Sequence, residues 1–150
     1  MLMIRVFAVA LSMAPSLAPM QAITTSASAM EAEINKTGSV AIDAITFDIG
    51  KATLQGGSEH ALGEIVKLMK AHTDWRFEVQ GHTDSAGAKA ANLALSAQRA
   101  EAVAAWVTSH GIEADRLTSR AYGDTKPVAT SAEIGGAKNE RIELRKLNEE

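Results

Sequence analysis

The run Trp75-Arg76-Phe77-Glu78-Val79-Gln80, continued by Gly81-His82-Thr83-Asp84-Ser85-Ala86-Gly87, decides how this chain is read. Trp75, Phe77 and Val79 alternate with Arg76, Glu78 and Gln80. That period of two marks a strand with one buried face. A glycine-flanked turn follows. From about Ala90 to Ser109 the period becomes helical, with Ala100, Val103 and Val107 on one face. A strand, a tight turn and a helix follow one another directly.

Working outward, Val40 and Ile42, then Ile45, Phe47 and Ile49, alternate with polar or small residues and predict a strand over 39–49. The phase slips between 42 and 45, so a bulge is expected there. Gly50 to Gly57 reads as a connection. Ser58 is a candidate helix cap, and Ala61, Leu62, Ile65, Leu68 and Met69 form a helical stripe up to about Ala71. Gly111 is placed to end the second helix. Leu117, Ser119 and Ala121 alternate with Thr118, Arg120 and Tyr122 as a third strand, and Gly123 to Gly136 is a long loop containing Pro127. Ile142 and Leu144, between Arg141, Glu143 and Arg145, predict a last strand. Strands joined through helices are usually parallel. The expected fold is an α+β, βαβαβ-β two-layer sandwich, with two main helices packed on one face of a mixed sheet.

The chain has 150 residues, 46% of them apolar and 4% aromatic, which suits one domain with an aliphatic core. A net charge of −3 argues against nucleic acid as a partner, since that needs a basic face. There is no cysteine, which excludes disulfides, thiol catalysis and a cysteine-linked lipid anchor. Residues 1–22 differ from the rest. Arg5 is followed by an uncharged apolar run, Val6 to Ala14, then by small residues with Pro15 and Pro19. This is the layout of a secretory signal peptide. A membrane span needs about 20 apolar residues, and the prolines interrupt this stretch. Ala22 is the expected cleavage point, with Ala18 and Ala29 as alternatives. Residues 23–38, rich in Thr, Ser and Ala, read as a mobile linker. The domain is then 39–147, with no transmembrane span in the mature chain.

Asp84 sits in the turn and Arg99 on the helix that follows. A carboxylate and a guanidinium converging at one helix mouth hold the two ends of an amino-acid zwitterion, the guanidinium by a bidentate grip on the carboxylate. Ligands gather at strand ends in open α/β sheets, and backbone N–H groups over Thr83 to Gly87 are aided there by the helix dipole. Asn92, Ser96 and Arg99 recur at helical spacing and share a face. This chemistry suits binding rather than catalysis.

These residues, taken together, resemble the OmpA C-terminal domain family. The matching run is Gly81-His82-Thr83-Asp84, Gly87, Asn92, Leu95-Ser96, Arg99-Ala100 and Val103. In order come Gly111-Ile112, Arg116-Leu117, Tyr122-Gly123, Pro127-Val128 and Asn139-x-Arg141-Ile142-Glu143, with Phe47-Asp48 at the end of the first strand. The resemblance covers roughly 40–145. It implies a periplasmic, non-catalytic module that binds peptidoglycan non-covalently, without cofactor or metal, with outer-membrane association and further envelope proteins as additional options. It also implies site roles. Asp84 contacts the amino group of the stem-peptide diamino acid, usually diaminopimelate, and Arg99 contacts its carboxylate. Phe47 and Asp48 form part of the rim, Asn139 and Arg141 a supporting edge, and Thr83 and Asn92 belong to the same site. One departure stands out. The family commonly carries two arginines after the asparagine, and here Glu140 replaces the first. In an alternating strand residue 140 faces away from 139 and 141, so Glu140 is expected outside the pocket.

Other readings compete. Asp84 also suits a simple turn cap, and Arg99 a solvated helix arginine. An Asp84–Arg99 ion pair is a further expectation. His82 with Asp84 gives a weak metal-like pair, but His60, His72 and His110 lack ligand spacing. Gly50-Lys51-Ala52-Thr53 fails the phosphate-loop spacing, because residue 45 is Ile. The alternative functions are a cell-wall hydrolase or amidase, and a protein-interaction scaffold of the envelope.

Overall fold

The apolar alternation at Phe77 and Val79 continues across the whole sheet. In the computed structural model, which describes residues 26–85, 87–126 and 139–148, the strands are β1 (Ser39–Ile42), β2 (Arg76–His82), β3 (Leu117–Gly123) and β4 (Arg141–Leu147). The helices are α1 (Ala27–Thr37), α2 (Ser58–Ala71) and α3 (Lys89–Ser109), with a short 3-10 turn at Ala114–Arg116. The leader 1–22 and the part of the 123–136 loop from Pro127 onward lie outside the described residues.

The sheet order is β1-β4-β2-β3. β2 and β3 are parallel and joined through α3, as the βα pattern predicts. β4 runs antiparallel to both β1 and β2. β1 and β2 therefore point the same way, with β4 between them. Register sorts the two faces. Val40, Leu144 and Val79 form one row, and Ile42, Ile142 and Gly81 the next. The apolar side chains of these rows join a single buried cluster with Leu62, Ile65 and Met69 of α2 and Ala100, Val103 and Val107 of α3. The opposite face carries Glu78 beside Arg145, Gln80 beside Glu143 and His82 beside Arg141.

Three local expectations are corrected. First, most of the stretch 23–38 is helix rather than mobile linker. Ser26 caps α1, its hydroxyl accepting from the Ala29 N–H at 3.2 Å. Gly38 closes it at φ 87°, donating to the Ile34 carbonyl. Met30 and Ile34, one turn apart, are fully buried, and the Glu64 carboxylate accepts from the Ala27 N–H at 2.8 Å. Short polar composition hid two core residues at helical spacing.

Second, the strand over 39–49 ends at Ile42. The phase slip is a turn, not a bulge: the Ile45 N–H donates to the Ile42 carbonyl, and Ile45 re-enters the core. Phe47 then pairs only with Leu54, across a hairpin-like loop. Third, Ser58 is the first residue of α2 rather than its cap. Its hydroxyl accepts from the Thr46 N–H at 2.8 Å and donates to the Thr46 carbonyl at 3.0 Å, which fixes the base of that loop.

Candidate binding site

Strand β2 and helix α3 meet without side chains between them. A Cβ on Gly81 would lie 2.0 Å from the Ser96 carbonyl oxygen, so only glycine allows this approach. Ser96 also donates to the Leu93 carbonyl and accepts from the Gly123 N–H at 3.0 Å. The Thr83 N–H donates to the Gly123 carbonyl at 2.8 Å, continuing the β2–β3 pairing past the strand end. Asn92, one turn before Ser96, donates to the Asp84 carbonyl at 3.4 Å. The turn bearing Asp84 is thus tied to the first turn of α3, and Gly87, which precedes the helix, adopts φ 85°. Thr83 and Asn92 are both buried, and the Thr83 hydroxyl has no hydrogen-bond partner among the described residues.

Asn92, Ser96, Arg99 and Ala100 share the buried face of α3, as their spacing predicts. Arg99 reaches across to the loop after β1. Its Nε donates to the Lys51 carbonyl at 2.9 Å and Nη2 to the Asp48 carbonyl at 3.5 Å. Its Cζ lies 4.9 Å from the centre of the Phe47 ring, a cation–π distance. The Lys51 N–H donates back to the Asp48 carbonyl, and Gly50 takes φ 68° within that turn. Phe47, Asp48 and Arg99 are therefore brought together. Asp48 contributes its backbone oxygen to that contact.

The anion that meets Arg99 is Glu140. Its carboxylate accepts from Nη1 in an ion pair. This corrects the expectation that Glu140 points away. Alternation fails because β4 begins at Arg141, so residue 140 still belongs to the connection. It also replaces the expected Asp84–Arg99 pairing at the guanidinium. With Nε and one N–H of Nη2 directed at loop carbonyls, Nη1 is the nitrogen that meets the Glu140 carboxylate.

Arg141 serves another cluster. It donates to the Asn139 carbonyl at 3.2 Å and the Lys126 carbonyl at 3.0 Å, and Nε lies 3.3 Å from Glu143. Asn139 is buried beside it. Glu143 also pairs with His82 at 3.0 Å, and the His82 ring stacks on Tyr122 with centres 5.1 Å apart. The hydrogen bond from His82 holds the Glu143 carboxyl below the usual carboxylate range, with burial opposing and Arg141 adding to the effect. Sequence reading missed this His82–Glu143–Arg141 cluster and the Lys51 carbonyl. The register of β2 on β4 is its only signal, and that needs the β4 insertion.

A family model described as the OmpA family matches residues 46–141. A probable lipoprotein, YiaD, of Escherichia coli (strain K12) is 33% identical over 67% of this chain and 46% of its own length. The peptidoglycan-binding protein ArfA of Mycobacterium tuberculosis (strain ATCC 25618 / H37Rv) is 34% identical over 67% of this chain and 31% of its own. The chain thus spans less than half of either relative. The crystal structure of the peptidoglycan-associated lipoprotein from Burkholderia pseudomallei superposes with a TM-score of 0.62 at 26% identity, covering 75% of this chain and 92% of that one. No helix among the described residues is long and apolar enough to cross a membrane.

Proposed function

The chain is a member of the OmpA family, and from that premise we propose that it is a non-catalytic periplasmic module that binds peptidoglycan non-covalently. Asp84 takes the ammonium of the stem-peptide diaminopimelate, and Arg99 takes the carboxylate on the same carbon. The single observation that supports this most is the state of Arg99. Its side chain is 3% exposed, and its guanidinium is fixed by two loop carbonyls and one aromatic ring and is already facing a carboxylate. A buried cation aimed at an anion position is a recognition element, because a fixed donor set loses little freedom on binding. The Asp84 turn at the β2 end is tied through its backbone carbonyl to Asn92, which shares the buried face of α3 with Arg99, and in this reading Asp84 supplies the opposite charge.

Phe47 and Asp48 form the rim around Arg99, and Thr83 and Asn92 hold the turn. Asn139 and Arg141 brace the edge from the β4 side. Residues 1–22 direct export as a signal peptide. Purified sacculi test the reading. Wild-type protein should co-sediment with them, and folded Asp84→Ala and Arg99→Ala variants should stay in the supernatant. Undiminished co-sedimentation of both folded variants would remove the site assignment.

A further inference from the structure

Arg99 and Glu140 are unequal partners. The Arg99 side chain is 3% exposed, whereas that of Glu140 is 47% exposed. The arginine is held by the Lys51 and Asp48 carbonyls and the Phe47 ring. Glu140 lies just outside β4, ahead of its first paired residue, and meets Arg99 through a single nitrogen. One charge is built in. The other reaches it from a water-accessible side and is free to leave by rotating its side chain.

We propose that Glu140 is an intramolecular stand-in for the ligand's carboxylate, occupying the anion position at Arg99 until an incoming carboxylate displaces it. This rests on the peptidoglycan reading above and deepens it, by assigning regulation of affinity to Glu140. The physical logic is competition. With Nε and one N–H of Nη2 directed at backbone carbonyls, Nη1 is the nitrogen that these backbone bonds leave to an anion, and Glu140 occupies it. Two carboxylates at that nitrogen would also repel each other. Binding therefore proceeds only from the fraction of molecules in which Glu140 has swung away, and the apparent affinity falls by that fraction. The same pairing spares Arg99 the penalty of a buried, uncompensated charge. Glu140 thus keeps the site formed while weakening its grip, a suitable arrangement for a module that attaches reversibly to a polymer presenting many copies of one group.

The test compares wild type, Glu140→Gln, Glu140→Ala and Arg99→Ala, with Glu101→Gln as a control. Glu101 is an exposed carboxylate on α3, so its loss reports general electrostatics. The probes are purified sacculi and soluble muropeptides released from them, native and with the diaminopimelate carboxylate amidated. Circular dichroism melts verify folding. Glu140→Gln and Glu140→Ala should bind native muropeptide about 5-fold tighter or more, the size of an exposed ion-pair competitor. The amidated probe should show no such gain, and Glu101→Gln should match wild type. Equal tightening by Glu101→Gln would overturn the proposal in favour of a diffuse charge effect. Unchanged or weaker binding by both folded Glu140 variants, with Arg99→Ala inactive, would overturn it while leaving the peptidoglycan reading intact. Failure of wild type and every variant to bind sacculi would remove both.

Discussion

Gly81 of β2 lies directly beneath the Ser96 carbonyl of α3, at a spacing where a Cβ would come within 2.0 Å of that oxygen. Strand and helix touch backbone to backbone. This contact sets where the Asp84 turn leaves the sheet and where Arg99, one turn beyond Ser96, meets the loop after β1. Gly81→Ala should therefore damage stability and site together. Overpacking of this kind typically costs about 1–3 kcal/mol, and the obstruction here is backbone, which cannot rotate aside. Urea unfolding should show a loss at or above the top of that range. A variant of wild-type stability would mean that α3 rides higher on the sheet.

Helix α1 belongs to the domain's core. Met30 and Ile34 are buried in the same cluster as Phe77 and Ile65. Met30→Ala should lower stability by about 2–5 kcal/mol, the range for emptying a packed methionine site. Thermal or urea unfolding checks this. A change within experimental error would return residues 27–37 to the status of a linker.

Much of this architecture is legible from residue patterns, because alternation and helical stripes report directly on one-sided burial. β2, α3, β3 and β4 fall where Trp75 to Gln80, Ala100 to Val107, Leu117 to Tyr122 and Arg141 to Arg145 place them. The failures share a cause. Met30 and Ile34 sit among Ala, Ser and Glu residues, so their helix carries too few apolar side chains to announce itself. Ile42 and Ile45 share one core but are separated by a turn, which a periodic reading turns into a single strand. Glu140 precedes its strand by one residue, and the alternation rule does not reach it. The insertion of β4 between β1 and β2 brings His82 and Glu143 together, and no local pattern encodes such a long-range pairing. In the site, the α3 face bearing Asn92, Ser96 and Arg99 was readable from spacing. What Arg99 touches was not, because its partners are the backbone of a distant loop and a residue outside regular structure.

Glu143 makes stability depend on acid. Its carboxyl is held below its ordinary value, chiefly by the hydrogen bond from His82. A depressed carboxylate contributes stability that is fully present above the unfolded value, about 4.3 for glutamate. That contribution is lost as pH falls through the lower folded value. Glu143→Gln should therefore be less stable than wild type near neutral pH, by about 1–3 kcal/mol for a hydrogen bond to a charged group. The gap should close below about pH 4. Unfolding curves for both proteins across that window check the sign. A gap that stayed constant or widened on acidification would show that the charge on Glu143 contributes nothing.

The central claim is that Asp84 and Arg99 together read one amino-acid end carrying both charges. Titration of the protein with three stem peptides, followed by NMR, addresses it most directly: one with a free diaminopimelate end, one amidated at that carboxylate, and one acetylated at that amine. Each block removes one charged contact with the ligand: acetylation takes the ammonium from Asp84, and amidation leaves Arg99 with Glu140 as its carboxylate, with a loss of up to roughly 2–5 kcal/mol for a hydrogen-bonded charge pair. The account predicts tight binding of the free peptide, with shifts around Asp84, Asn92 and Arg99, and sharply weaker binding of both blocked forms. Equal affinity for all three would contradict it, and would show that the site recognises something other than the zwitterion.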